Sequence, residues 1–370
     1  MNKEEIFEQL KSINYPGYNR DIVSFGIIKD IAISDNSVIL QLNLQADQNI
    51  INQLKNDINI LFRKNFSDVK LSINVIKNND HTQNIIGDIP ALKNVKNIIA
   101  IASGKGGVGK STTTVNLATV LSEKLKVGIL DLDIYGPSLP TALGCSERPQ
   151  INEKKLLSPI EKNGIKLMSF GFLNDEAAPT IWRGPMVSRM TQQFFEQVDW
   201  GNLDILLLDL PPGTGDIQLT LVQKIALSGA IIVTTPQDLA LLDVKKASDM
   251  FNKLNTPILG VVENMSNLIL NGQVEDANGQ IVSKGKIKIN NNEYEIDEGS
   301  FAINLEIFKG KGGEDESLRL DVPLLSQIPI DSDLALCTDN GTPYVHKHKN
   351  TYTKSCYDKI AEQIMIKLED

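Results

Sequence analysis

Gly104-Lys105-Gly106-Gly107-Val108-Gly109-Lys110-Ser111 is the stretch on which the reading of this chain turns. It satisfies the phosphate-loop pattern G-x-x-x-x-G-K-[ST] and adds a second lysine directly after the first glycine. In such a loop successive backbone N–H groups point inward at phosphate oxygens, and the following helix presents its positive N-terminal end. Lys110 is placed to reach the β and γ phosphates, and the Ser111 hydroxyl to ligate Mg²⁺. The flanks agree: residues 95–102 form an apolar run that reads as a buried strand, and residues 111–125 have helical spacing. Gly104, Lys105, Gly106, Gly107, Val108, Gly109, Lys110, Ser111 and Thr112 are therefore the expected nucleotide-binding residues.

Downstream the chain repeats strand, loop and helix. Apolar strand candidates fall at 126–132, 165–170, 204–210, 230–234 and 258–262. Continuous apolar strands alternating with helices predict an α/β fold, a parallel sheet flanked by helices, with the ligand beyond the carboxyl ends of the strands. Asp209 closes one such strand beside the phosphate loop, where a carboxylate holds Mg²⁺ directly or through water. The Leu210-Pro211-Pro212-Gly213-Thr214-Gly215-Asp216 segment that follows is expected to sense the γ-phosphate through the Gly213 N–H. Asp131 and Asp133 are expected to share one face of an extended chain, one orienting water and the other supporting the metal shell. Lys105, pointing away from its own loop, can supply positive charge to a partner's nucleotide. That predicts a homodimer with nucleotides near the interface.

The chain has 370 residues, enough for two or so domains. Residues 1–78 read as a small α+β domain, with a helix at 3–12, strand-like alternation at 38–44 and 69–76, and a helix at 50–62. Residues 79–93 read as a linker, and 94–370 as the nucleotide-binding domain. A net charge of −9 argues against non-specific nucleic-acid binding. The absence of an apolar run near the roughly 20 residues of a membrane helix, and of a signal-peptide core, predicts a cytoplasmic protein without a membrane partner. Three widely spaced cysteines, Cys145, Cys337 and Cys356, exclude a disulfide framework.

The phosphate loop, Asp131-Leu132-Asp133-Ile134-Tyr135-Gly136-Pro137-Ser138, Trp182-Arg183-Gly184-Pro185-Met186-Val187-Ser188 and Asp209-Leu210-Pro211-Pro212-Gly213-Thr214-Gly215-Asp216 together resemble the Mrp/ApbC branch of the deviant-Walker, MinD/ParA-like ATPases. Members of that branch are iron–sulfur cluster carriers. Asp21-Ile22-Val23-Ser24-Phe25-Gly26 resembles part of the small MIP18-like domain that often precedes them. The resemblance implies an ATP-hydrolysing, Mg-dependent dimer that serves an apo-protein or assembly-factor client. It implies that Lys105 acts across the dimer, Lys110 and Ser111 contact phosphate and Mg²⁺, Asp133 orients water, Asp209 supports the metal shell, and Asn264 reads adenine.

One departure concerns the cargo. The branch normally follows Asn-Met-Ser with C-x-x-C, whose thiolates, paired across a dimer, ligate a bridging cluster. Here Leu270 and Gln273 occupy those positions, and neither binds iron as a thiolate does. The region after it, around 267–310, is longer than the family pattern, and residues 285–296 read as an inserted hairpin with an asparagine turn. Ala46-Asp47-Gln48-Asn49 likewise lacks the cysteine that relatives of the small domain carry. The leading reading is a cluster carrier with altered ligands. Its alternative is a nucleotide-switched interaction ATPase without a metal site, and a MinD/ParA-like spatial organiser is a third, disfavoured by the acidic C-terminal segment.

Overall fold

The computed structural model describes residues 3–13, 16, 21–23, 27–34, 37–43, 48–66, 69–76, 89–134, 136–173, 184–213, 218, 222, 225–289 and 291–369. The sequence readings at 44–47, at Trp182 and Arg183, at 214–217, at the hairpin turn Asn290 and over most of the linker lie outside the described residues. The chain divides into two compact units, Met1–Asn84 and Ile85–Asp370.

The first unit contains α1 (Lys3–Leu10), β1 (Ile28–Ser34), β2 (Ser37–Asn43), α2 (Gln48–Asn65) and β3 (Lys70–Ile76). β2 is central, antiparallel to β1 and parallel to β3. Ile51, Leu54, Ile58 and Phe62 recur at three- and four-residue intervals along α2 and are buried with Val38, Leu40 and Leu42 of β2. Those two periods, near 3.6 and 2, bring one stripe of the helix onto one face of the sheet. β1 is a strand that the sequence reading did not anticipate.

Among the described residues the second unit is built on an 11-stranded sheet. Its centre comprises β4 (Val95–Ala102), β5 (Val127–Asp131), β7 (Ile165–Ser169), β8 (Leu203–Asp209), β9 (Gly229–Thr234) and the first half of β10 (Ile258–Gln273), all parallel. Short β6 (Ile160–Lys162) adds antiparallel to β7 at one edge. Among the described residues the helices are α3 (Lys110–Leu121), α4 (Leu139–Ala142), α5 (Gly184–Glu196), α6 (Asp238–Lys253), α7 (Gly312–Leu320), α8 (Ser332–Asp339), α9 (Tyr344–Lys347) and α10 (Tyr352–Glu369). β14 (Leu324–Ile330) pairs parallel to β10.

Strand residues alternate between two cores, as a period of two requires. Ile99, Ile101, Ile205 and Leu207 pack on the face carrying Leu117, Leu121, Ile360 and Ile364. Ile98, Ala100, Leu206 and Leu208 pack on the other face, with Phe194, Trp200 and Phe251. Each fully buried Leu or Ile contributes about 1.5–3 kcal/mol, so a sheet covered on both faces holds its carboxyl edge as a rigid rim. Cys145, Cys337 and Cys356 are buried members of the first of these cores.

The expected parallel sheet forms the centre; antiparallel strands extend it at the far edge, and the strand expected at 258–262 is much longer. After Asn264 the register of β10 against β14 shifts, with Met265 in the left-handed region at φ 56°. The strand then pairs antiparallel with β13 (Ser300–Leu305), which is followed outward by β12 (Asn292–Asp297) and the edge strand β11 (Lys284–Ile289). The expected hairpin is thus β11–β12, the outer half of a four-stranded ribbon continuous with the main sheet.

Candidate functional site

The phosphate loop joins the carboxyl end of β4 to α3, and its glycines have specific reasons to be glycine. Gly109 sits at φ 83°, in the left-handed region, and a Cβ there would collide with the Asn264 amide. A Cβ on Gly104 would run into the α6 backbone at Asp243–Val244. The loop borders a cavity of about 250 Å³ whose other lining residues include Asp133, Gly136, Ser138 and Pro212. A larger groove of about 410 Å³, lined by Lys93, Lys96, Lys126 and Asp204, lies at the opposite, amino end of the strands. Sheets of this kind bind ligands at the carboxyl end, so the smaller cavity is the candidate site.

Three groups of the loop and α3 converge on Asp209, which is completely buried at the end of β8. Ser111 Oγ donates to Asp209 Oδ2 at 2.6 Å, and Thr114 Oγ1 donates to Oδ1 at 2.8 Å. Lys110 Nζ stands 2.8 Å from Oδ2, with only 6% of its side chain exposed. Ser111 and Asp209 are hard oxygen donors side by side next to a phosphate cradle, and this donor set fits Mg²⁺. Lys110 compensates the buried carboxylate. Thr114 escaped the sequence reading, although its place one helical turn after Lys110 signals the shared face.

Asp131 and Asp133 differ in burial and partners. Asp131 ends β5 fully buried, accepting from Ser169 Oγ at 2.8 Å and from the Asp133 N–H at 3.1 Å. Burial first, and the Asp209 charge second, push its carboxyl up to about 7. The chain turns after β5, so Asp133 stands half-buried at the cavity, with Oδ1 accepting the Gly136 N–H at 3.1 Å. The Gly213 N–H, expected to face phosphate, instead donates to the Ser103 carbonyl at 3.0 Å.

Asn264 lies within β10 rather than after a strand. Its Nδ2 donates to the Val108 carbonyl at 2.9 Å, so it supports the phosphate loop from beneath. Lys105 does not project freely; its Nζ donates to Gln237 Oε1 at 3.1 Å. Gln237 carries no motif by which the sequence could have signalled it.

The cysteine positions of the resembling branch fall in the outer half of β10. Leu270 pairs with Ile303 and Gln273 with Ser300, and both side chains are exposed. Residues three apart on a strand point to opposite faces. Burial raises the thiol pKa of Cys145, Cys337 and Cys356, the reverse of what an iron ligand needs. Among the described residues, no group of three or more His, Cys, Asp or Glu side chains is arranged to hold a metal ion. Leu270 and Gln273 therefore offer no thiolate at the positions where the branch ligates its cluster. No helix among the described residues is long and apolar enough to cross a membrane.

A glycine-rich loop entering a helix, with a buried carboxylate on the adjacent strand and a mostly parallel sheet behind it, defines a P-loop nucleoside triphosphatase. The family model described as NUBPL iron-transfer P-loop NTPase matches residues 94–302 and 289–365, and one described as iron-sulfur cluster assembly protein matches 3–60. The chain belongs to the NUBPL-type family of iron-transfer P-loop NTPases. It is 44% identical to an iron-sulfur cluster carrier protein of Pseudomonas fragi, over 74% of this chain and 86% of that one. It is 33% identical to the iron-sulfur cluster carrier protein of Helicobacter pylori, over 100% of this chain and 94% of that one. A solved nucleotide-binding protein from Archaeoglobus fulgidus in complex with ADP is 34% identical, with a TM-score of 0.54 over 69% of this chain and 90% of that one.

Proposed function

We propose that this protein is a Mg-dependent ATPase that works as a homodimeric iron–sulfur cluster carrier or assembly factor. The observation that carries the reading is the convergence of Lys110, Ser111 and Thr114 on buried Asp209 in a chain whose family is defined by iron transfer. Mg²⁺, when bound, neutralises phosphate charge and fixes the nucleotide's oxygens. Ser111 and Asp209 would hold it. Lys110 leaves Asp209 for the β and γ phosphates, the backbone N–H groups of the loop cradle the phosphates, and Asp133 orients the attacking water. Asn264, with one amide proton spent on Val108, has the other and Oδ1 for adenine. Lys105 supplies charge to the partner subunit's nucleotide, and the segment after Asp209 carries the nucleotide state to the dimer interface.

The cluster is cargo in this reading, and its ligands are other than residues 270 and 273. Anaerobic reconstitution with iron and sulfide, followed by gel filtration, tests the assignment. Stoichiometric iron and acid-labile sulfide per dimer, lost on replacing one of the three cysteines, would support the carrier and identify a ligand. Intact ATPase activity with no retained iron would overturn it in favour of a nucleotide switch without cargo.

A further inference from the structure

The hydrogen bond from Lys105 to Gln237 follows from how the phosphate loop is seated on α6. Gln237 is the residue before α6, extended at φ −60° and ψ 130°. Its own carbonyl accepts the Ala240 N–H at 2.9 Å, while the Pro236 carbonyl accepts the Gly312 N–H at 3.1 Å, so the turn is clamped from both sides. Because Gly104 lacks a Cβ, the first residue of the loop abuts the second turn of α6. Ser103 Oγ also donates to the Lys105 carbonyl at 3.1 Å and fixes the lysine's backbone. With both backbones held, the 3.1 Å contact of Nζ with Oε1 is a built relationship between two half-buried side chains.

We propose that Gln237 is a positioning residue for Lys105: its neutral amide oxygen parks the ammonium within its own subunit and releases it when two copies close on nucleotide. The proposal rests on the reading of Lys105 as a residue acting in trans. The acceptor's chemistry supports the role. A carboxylate in its place would form a charge-assisted pair about twice as strong and hold the lysine back. A side chain with no acceptor would not park the ammonium at all and would remove the hydrogen bond that closure must break. An amide oxygen lies between the two, and it leaves the full positive charge available for phosphate.

The test uses the full chain with ATP and with a non-hydrolysable ATP analogue. Thermal melting first establishes that the variants are folded. Gln237→Glu should raise the dimer dissociation constant measured by sedimentation with the analogue about tenfold. It should also lower turnover at saturating ATP by a similar factor, with KM for ATP unchanged. Gln237→Met, which keeps length and loses the acceptor, should tighten the dimer about threefold, the scale of one modest hydrogen bond. In a Lys105→Ala background neither substitution should move the dimer dissociation constant. Shifts that persist without Lys105, or the absence of shifts with it, would overturn the proposal. A Lys105→Ala protein with normal turnover and normal dimerisation would instead remove the trans reading and, with it, the role of Gln237.

Discussion

Asp131 and Asp209 are register partners on the adjacent parallel strands β5 and β8, and both are fully buried. Two carboxylates this close in a low-dielectric site do not readily ionise together. Lys110 pairs with Asp209 at 2.8 Å, so the proton goes to Asp131, whose pKa is raised to about 7.

The sign of the resulting pH dependence follows from linkage. A carboxyl of about 7 in the native state and of ordinary value in the unfolded chain binds more protons when folded. Its contribution to stability is present at low pH and is lost as pH rises from about 4 to about 7. Denaturant unfolding of the nucleotide- and metal-free protein should show this loss across that window. Asp131→Asn, which keeps the Oδ1 acceptor for the Asp133 N–H, should flatten it. An unchanged pH profile in the variant would refute the assignment.

Lys110 and Lys105 should separate in their effects on folding. Removing Lys110 leaves Asp209 buried without its cation, which costs about 3–5 kcal/mol. Lys110→Ala should therefore lower the melting temperature of the free protein as well as abolish nucleotide binding. Lys105→Ala removes one hydrogen bond from a half-buried loop residue, about 1 kcal/mol, and should reduce turnover far more than stability. Calorimetric melting of both variants, read beside ATP titration, checks the contrast.

Gly109→Ala should destabilise on two counts, a left-handed backbone and a collision with the Asn264 amide. The backbone term alone is about 1–2 kcal/mol. Asn264→Ser removes the collision but also the bond to the Val108 carbonyl, so, measured against Asn264→Ser alone, the double variant should recover part of the lost stability and no more. Full recovery would show that the backbone contributes nothing.

What was legible in the sequence was local. Lys110, Ser111 and the loop glycines lie within eight residues, and Asp209 ends an unbroken apolar run. Glu263, Asn264 and Ser266 instead interrupt an apolar run and suggest a strand end. They stay in β10 because each finds a distant partner: the Gly313 N–H and Gln327 for Glu263, the Val108 carbonyl for Asn264, the Ile328 carbonyl for Ser266. Such pairings carry no periodic signal. The same holds for Gln237, which meets Lys105 only because α6 packs on the loop. The different burial of Asp131 and Asp133 is likewise not written in their spacing, because β5 ends at Asp131 and alternation no longer governs the next residues.

Restoring the family's cysteines should not restore a cluster. In Leu270→Cys/Gln273→Cys the two thiols would lie three residues apart on a strand held to β13 by the pairs Leu270–Ile303 and Gln273–Ser300. A period of two sends them to opposite faces of the ribbon, whereas thiolates on one cluster must converge. Gly272 also carries Phe301 across its vacant Cβ position, so the two strands interlock between the two sites. After anaerobic reconstitution the double variant should retain no more iron and sulfide than the parent. If it gains a stoichiometric cluster, the β10–β13 pairing must open in solution, and the ribbon would be a movable cover rather than a fixed part of the sheet. Deleting residues 274–305, which removes β13 together with β11 and β12, in the double-cysteine background separates the cases, since freeing β10 from its partner should permit iron binding only where the strand pairing was the obstacle.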